Sequence, residues 1–316
     1  MILSVQVLIR GTVKVYNKYW HIAKRLQTEQ LQKPDISQID FSEKNLFHLD
    51  IGKRGSTFFL GFYSKEGLKI AFEKYGVYKK LEKKGFKEII TDIDTSDPYK
   101  HKIALYYKEK NKKNLLVELV VRKQYFSVHM PFDCHINNKS FLALAIDWLL
   151  IQNITGSFTE KRPRLPGQHY PGLGFSHLVL DLLLITCWRL NLAGVLNVPE
   201  HYHNAYIYSK AFYYLDPNLQ AMYLSLKKCF KNFPLDKISW GIDWGCVIDL
   251  NCNKPFQWPI AKQVVPLEKE LKGVFQGLSY RRYVKQHIKE YKYEFDEAKY
   301  LQCKNKMSEF NMEKCI

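Results

Sequence analysis

The alternation of apolar and polar positions lays out most of the elements of this chain. Residues 54–63, running through Ser56-Thr57-Phe58-Phe59-Leu60-Gly61-Phe62-Tyr63, predict a strand. A long amphipathic helix is expected over residues 65–84, stopped by Gly85. A strand follows at 88–93, and Thr91-Asp92-Ile93-Asp94-Thr95-Ser96-Asp97-Pro98 reads as its end and a turn. Residues 102–107 and 115–121 form the arms of a hairpin turned at 110–114. The apolar run 141–150 reads as a buried central strand. A loop covers 153–168 and carries Lys161-Arg162-Pro163-Arg164; connections of that length inside a domain are usually functional or mobile. Beyond it the pattern changes to a glycine turn at 169–174, a helix at 175–191, a strand at 194–198 and a helix at 202–212. Hairpin strands followed by strand, turn, helix, strand and helix indicate an α+β fold, a mixed central sheet with flanking helices.

Both ends read as appendages. Residues 1–45 are polar and partly helical, with Tyr16, Tyr19, Trp20 and Ile22 as apolar contacts and a break at Pro34 and Asp35. The expected organisation is an appended segment at 1–50, a main domain at 51–230 and an extension at 231–316. The extension contains Trp-rich segments and a basic helix near 278–293. With 46% hydrophobic and 15% aromatic residues, 316 positions suffice for a substantial core.

Charge narrows the partners. The 48 Lys+Arg outnumber the 31 Asp+Glu for a net +17, which attracts phosphates, nucleic acid, anionic membrane surfaces and acidic small molecules. General enrichment in Lys, Asn, Ile and Tyr accounts for the excess equally well. The odd set of seven cysteines, with no Cys-x-x-Cys pair, reads as free thiols in a reducing compartment. A zinc site assembled in space from Cys246, Cys252 and a distant His is the lesser reading, because zinc sites usually show tighter ligand spacing, and no metal is expected. The start of the chain reads as a strand or helix rather than a secretion signal. No apolar run reaches 18 residues; the greasiest, 178–188, contains Asp181. A cytoplasmic location with no membrane span is the expectation.

Candidate chemistry centres on His169-Tyr170-Pro171-Gly172-Leu173-Gly174. The first turn of a helix has free N–H groups and the positive end of a dipole. Glycines let backbone approach an anion with no Cβ in the way, so a glycine turn opening a helix forms a pyrophosphate cradle. Two glycines alone equally describe an ordinary strand-to-helix turn.

The flanking residues strengthen the first reading. The stretch resembles motif A of the GNAT superfamily of N-acetyltransferases, whose pyrophosphate loop runs Arg/Gln-x-x-Gly-x-Gly/Ala. Gly172 and Gly174 match the small positions, and His169 stands where Arg or Gln is usual, beside Gln168. The helix from Phe175, the strand from Gly194 and the segment His203-Asn204-Ala205-Tyr206-Ile207-Tyr208-Ser209-Lys210 resemble the rest of that motif and the motif B helix. The resemblance covers about residues 141–216. It departs from the family at Ala211-Phe212, where Gly-Phe is common, and in a short spacing from Asn204 to Tyr208.

The resemblance implies acetyl-CoA or another acyl-CoA as co-substrate and an amine as acceptor, joined by direct attack. His169, Gly172, Leu173, Gly174, Phe175, Ser176 and Asn204 are the implied CoA contacts. A tyrosine on the 202–212 helix would protonate the departing thiolate; Tyr206, Tyr208 and Ser209 are open to the role, with Tyr208 preferred. Glu200 and Asp147, or a water chain, are the candidate bases. The alternative is a catalytically silent CoA-binding or nucleic-acid-associated module of the same shape.

Other features have plainer readings. Asp147 is as well a buried carboxylate capped by backbone amides. His177 and Asp181 are spaced as a surface i,i+4 pair. His201 and His203 after Glu200 lack a third spaced ligand and read as loop polarity. Arg281, Arg282, Lys285, Lys289 and Lys292, interleaved with tyrosines, resemble a nucleic-acid face, but a solvated helix face is preferred. Trp240 and Trp244 read as packing.

Overall fold

The computed structural model describes residues 13–34 and 58–313. The chain is α+β, with a mixed sheet flanked by helices. It divides into two compact units: Met1–Phe126, Phe141–Ser157 and Tyr170–Val195 form the first, and Ser127–Ser140, Phe158–His169 and Leu196–Ile316 the second. Neither is a continuous stretch, and the changes of unit do not coincide with the expected borders at 50 and 230.

The first unit is built on strands β1 (Ile89–Asp94), β2 (His101–Tyr107), β3 (Leu115–Ser127), β4 (Ser140–Ile151) and β5 (Gly194–Asn197), hydrogen-bonded in that order. The antiparallel register of β1 on β2 sets Ile93 against Ile103, and β2 on β3 sets Leu105 against Val117. The expected hairpin is therefore present, and Asn111 closes its turn by accepting the Asn114 N–H at 3.0 Å. The 141–150 run is a strand between two neighbours, buried at Phe141, Ala143, Leu144 and Ala145.

The helices of this unit correct several expectations. Helix α1 (Val13–Arg25) and the turn α2 (Thr28–Leu31) are integral. Tyr19, Ala23, Leu26 and Leu31 are all buried, and the Trp20 ring meets Trp188 edge-on at 4.5 Å. A polar helix docked through a few large residues reads as an appendage because its partner is more than a hundred residues away.

The expected strand at 54–63 falls partly outside the described residues; its remainder is a tight turn in which the Phe59 N–H donates to the Tyr63 carbonyl at 2.7 Å. The expected helix over 65–84 is two helices, α3 (Lys65–Lys74) and α4 (Val77–Glu82). Gly76 separates them in a left-handed conformation at φ +73°, which a glycine reaches without the Cβ penalty. Ser64 caps α3, accepting the Gly67 N–H at 2.9 Å while its own hydroxyl donates to the Leu31 carbonyl. Helix α5 (Ser176–Arg189) crosses from β4 to β5 and buries Leu178, Leu180, Leu183 and Leu184.

The second unit holds helices α6 (Tyr202–Tyr208), α7 (Pro217–Cys229), α8 (Leu235–Asp243), α9 (Lys269–Phe275), α10 (Leu278–His287) and α11 (Glu297–Glu313). Its strands are β6 (Tyr213–Tyr214), β7 (Val247–Asp249), β8 (Lys254–Pro255), β9 (Gln263–Pro266) and β10 (Tyr293–Phe295). Strands β6 and β9 pair antiparallel, and β10, β7 and β8 form a small sheet in that order. The expected helix at 202–212 ends at Tyr208, and the basic helix near 278–293 gives way to β10. Tyr202, Tyr214, Tyr223, Leu226, Phe230, Ile238 and Val247 are among the residues of a largely aromatic core. Among the described residues no helix is long and apolar enough to cross a membrane.

Candidate functional site

The glycine turn lies in the first unit, at the end of the long loop after β4. The loop returns to the strand end where the Asn153 N–H donates to the Pro171 carbonyl at 2.7 Å. Leu173 and Phe175, 2% and 7% exposed, anchor the turn from below, while Gly172 and Gly174 face outward. The two glycines are not equivalent. Gly174 has φ +78°, with open space where a Cβ would stand. Gly172 has no such conformation, and a Cβ there would touch only the Ile151 carbonyl at 3.7 Å. Backbone geometry thus demands a glycine at 174, whereas at 172 a glycine only keeps the surface low.

Helix α5 opens directly from this turn without a side-chain cap, and its first turn contains no acidic residue. Its first bond from the turn is the Val179 N–H to the Phe175 carbonyl at 3.0 Å. The N–H groups of Ser176, His177 and Leu178 have no acceptor among the described residues. Lys80, on α4, places its ammonium 5.9 Å from the centre of the Phe175 ring. Free amides, a helix dipole and a nearby cation all favour an anion. Lys80 carried no signal in the sequence, because a lysine in a lysine-rich helix gains meaning only from what it faces.

Asp181, one turn further along α5, is not in the expected surface pair with His177. It is 2% exposed, and its Oδ2 has no hydrogen-bond partner among the described residues. Burial pushes its pKa up to about 7, against a smaller opposing pull from Lys80.

Asp147 lies on β4. The guanidinium Nε of Arg122 donates to its two oxygens at 2.9 and 3.0 Å, and the Lys100 ammonium lies 3.7 Å away. Its partners are cations rather than backbone amides, and its side chain is only partly buried.

The remaining sequence candidates lie in the second unit. His169 and Glu200 are exposed, Asn204 is half-buried in the first turn of α6, and Tyr208 closes that helix. Burial pushes the Tyr208 pKa up to about 12, so its hydroxyl keeps its proton. The structure thus groups Gly172, Leu173, Gly174, Phe175 and Ser176 in one unit and His169, Glu200, Asn204 and Tyr208 in the other.

The second unit also joins side chains that looked unremarkable in the sequence. His201 Nδ1 lies 3.1 Å from Asp243 Oδ1, across 42 residues of chain. The His201 ring stacks on His203 with centroids 5.3 Å apart and planes 14° apart. His203 is 3% exposed, its Nδ1 is unpartnered among the described residues, and burial together with the His201 neighbour pushes its pKa down to about 4. On its other side, His201 Nε2 lies 3.1 Å from where a Cβ of Gly167 would stand, and Gly167 has φ +72°.

Two tryptophans hold this arrangement. Trp240 Nε1 donates to the Arg164 carbonyl at 2.8 Å, tying the 158–169 loop to α8. Trp258 Nε1 donates to the Pro199 carbonyl at 2.9 Å, fixing the approach to α6. A carboxylate on Nδ1 holds that nitrogen as the donor and leaves the Nε2 lone pair to take a proton. Glu-His-x-His was visible in the sequence; Asp243, the residue that gives it a role, was not.

Among the described residues no group of three or more His, Cys, Asp or Glu side chains is placed to hold a metal ion. No protein-family model matches the chain, and no curated protein or solved structure matches it.

Proposed function

We propose that this chain is an acyl-CoA-dependent N-acyltransferase that moves an acetyl or longer acyl group to an amine by direct attack. The observation that carries the reading is the start of α5: Gly174 at φ +78°, an uncapped first turn with no acidic residue, and Lys80 beside Phe175. That combination suits a pyrophosphate and occurs in the order strand, glycine turn, helix, strand, helix on which the GNAT resemblance rests. In this reading the amides of Ser176, His177 and Leu178 hold the pyrophosphate, and backbone groups of β4 polarise the thioester carbonyl. Asn204 and Tyr208 belong to the second unit, where Tyr208 keeps its proton, the state the GNAT resemblance asks of a donor to the thiolate.

The acceptor must lose a proton. Within the second unit, His201 paired with Asp243 and the exposed Glu200 are the groups with the chemistry of a general base. Asp147 is left out because Arg122 and Lys100 occupy it. The second reading is a silent CoA-binding module, favoured by the raised pKa of Tyr208, which makes its hydroxyl a weak acid.

Titration calorimetry with CoA, followed by thiol-release assays with acetyl-CoA and an amine library, tests both readings. Binding that is lost in Gly174→Val, together with turnover of an amine, supports the enzyme. Binding without turnover selects the silent module. An intact chain that does not bind CoA overturns both.

A further inference from the structure

A pair of cysteines in the second unit stands apart from the acyl-transfer reading. Cys246 lies in the turn between α8 and β7 and is completely buried. Cys303 lies on α11 and is partly exposed. They are 57 positions apart, yet the Cys303 thiol lies close enough to Cys246 to act on its proton, while the Cys246 thiol itself donates to the Trp244 carbonyl at 3.9 Å.

Their approach is set by the backbone around them. The Asp296 N–H donates to the Cys246 carbonyl at 2.7 Å, immediately before α11 begins. Within α11 the Lys299 ammonium donates to the Gly245 carbonyl at 2.9 Å, and the Tyr300 ring packs on Trp244 at 5.4 Å. Positions 296, 299, 300 and 303 fall on one face of a helix, so the contacts that dock Lys299 and Tyr300 on the turn also bring Cys303 to it. A second tether on the turn is the Cys246 N–H to the Gly241 carbonyl at 2.7 Å.

We propose that Cys246 and Cys303 form a reversible, redox-controlled disulfide that staples α11 to the turn after α8. The oxidant is a small disulfide of the glutathione class. The Cys303 thiol loses its proton to solvent, and the thiolate attacks one sulfur of glutathione disulfide. One glutathione thiolate leaves, and Cys303 holds the other as a mixed disulfide. Cys246 then loses its proton and attacks the Cys303 sulfur, releasing the second glutathione. Two protein thiols are oxidised by two electrons, and one glutathione disulfide is reduced to two glutathiones.

The asymmetry of the pair gives this order. Cys303 is the thiol that an oxidant reaches. Burial pushes the Cys246 pKa up to about 11, against a smaller opposing pull from Lys299, so Cys246 resists direct oxidation and acts as the resolving thiol. The exposed Cys229 and Cys252 donate to the backbone carbonyls of Tyr293 and Asp249 respectively, and are expected to stop at mixed disulfides.

The test equilibrates the full chain across a series of glutathione disulfide to glutathione ratios, quenches with an alkylating reagent and maps the peptides by mass spectrometry. The expected product is a Cys246–Cys303 cross-linked peptide that reverts on reduction, with a rise in Tm of about 5 °C or more from closing a long loop. Cys303→Ser, at a partly exposed site, should fold normally and lose both the cross-link and the oxidant-dependent Tm rise. The proposal is overturned if Cys303 remains a glutathione adduct while Cys246 stays free to alkylate in unfolded, quenched samples. It is equally overturned if Cys303→Ser keeps the full Tm response.

Discussion

His201 Nδ1 and Asp243 Oδ1 lie 3.1 Å apart, and this contact fixes which ring nitrogen of His201 can take up a proton. Nitrogen-detected NMR of the neutral ring should find Nδ1 protonated and Nε2 free. Asp243→Ala should shift the tautomer balance towards Nε2–H with little change in fold, because the contact is partly exposed. If the protein is an acyltransferase, the same variant should lower turnover by about 10²-fold, the scale of a general-base contribution, more than it changes CoA affinity. An unchanged tautomer would remove the reason for assigning His201 a role.

Asp181 predicts a pH dependence of unusual sign. Its pKa in the folded state is raised from 3.8 to about 7, so the folded state holds a proton that the unfolded state has lost. Its contribution is neutral below pH 3.8, and stability is lost as pH rises from there through 7. A shift of about three units corresponds to roughly 4 kcal/mol as an upper bound. Asp181→Asn should stabilise the protein at pH 8 and have little effect at pH 4 in urea unfolding. An equal effect at both values would contradict the buried, proton-holding carboxyl.

His203 works in the opposite direction. Its folded pKa is lowered from 6.5 to about 4, so protons favour the unfolded chain. The neutral ring's contribution is complete above pH 6.5 and disappears as pH falls towards 4. His203→Leu should remove this acid-side loss while leaving the Asp181 slope in place. Comparing stability at pH 7 and pH 5 in both single variants separates the two groups.

Gly67 tests the docking of α2 on α3. A Cβ at Gly67 would run into the carbonyl carbon and oxygen of Leu31, a backbone obstruction that no rotamer relieves. Gly67→Ala should cost at least about 2 kcal/mol, at the upper end of overpacking effects. Gly76→Ala meets no atom within 4 Å but must adopt φ +73°, and should cost about 1 kcal/mol. Denaturant midpoints for the two variants should fall in that order; the reverse order would place the strain at the helix break instead.

The hairpin of β2 and β3, the central strand β4 and the succession of glycine turn, helix and strand were legible because each is set by local periodicity and turn chemistry. The break at Gly76 was not. A glycine within an amphipathic stretch is tolerated in many helices, and only the fixed packing of α3 and α4 makes it adopt the left-handed conformation. The same limit hid Asp181. Its i,i+4 spacing from His177 is a property of any helix, whereas the face that α5 turns inward depends on what covers it.

For the candidate site, sequence determined the glycines, the helix that opens from them and the His201–His203 spacing, since those are properties of neighbouring residues. Tertiary structure decided that Gly174 and not Gly172 needs to be glycine, that Asp147 is neutralised by Arg122 and Lys100, and that Asp243 and Lys80 have partners worth naming. The reason is physical. Local preference acts over a few residues along the chain. The charge state and availability of a side chain depend on solvent exclusion and on groups brought close by folding, such as the 42 residues that separate His201 from Asp243.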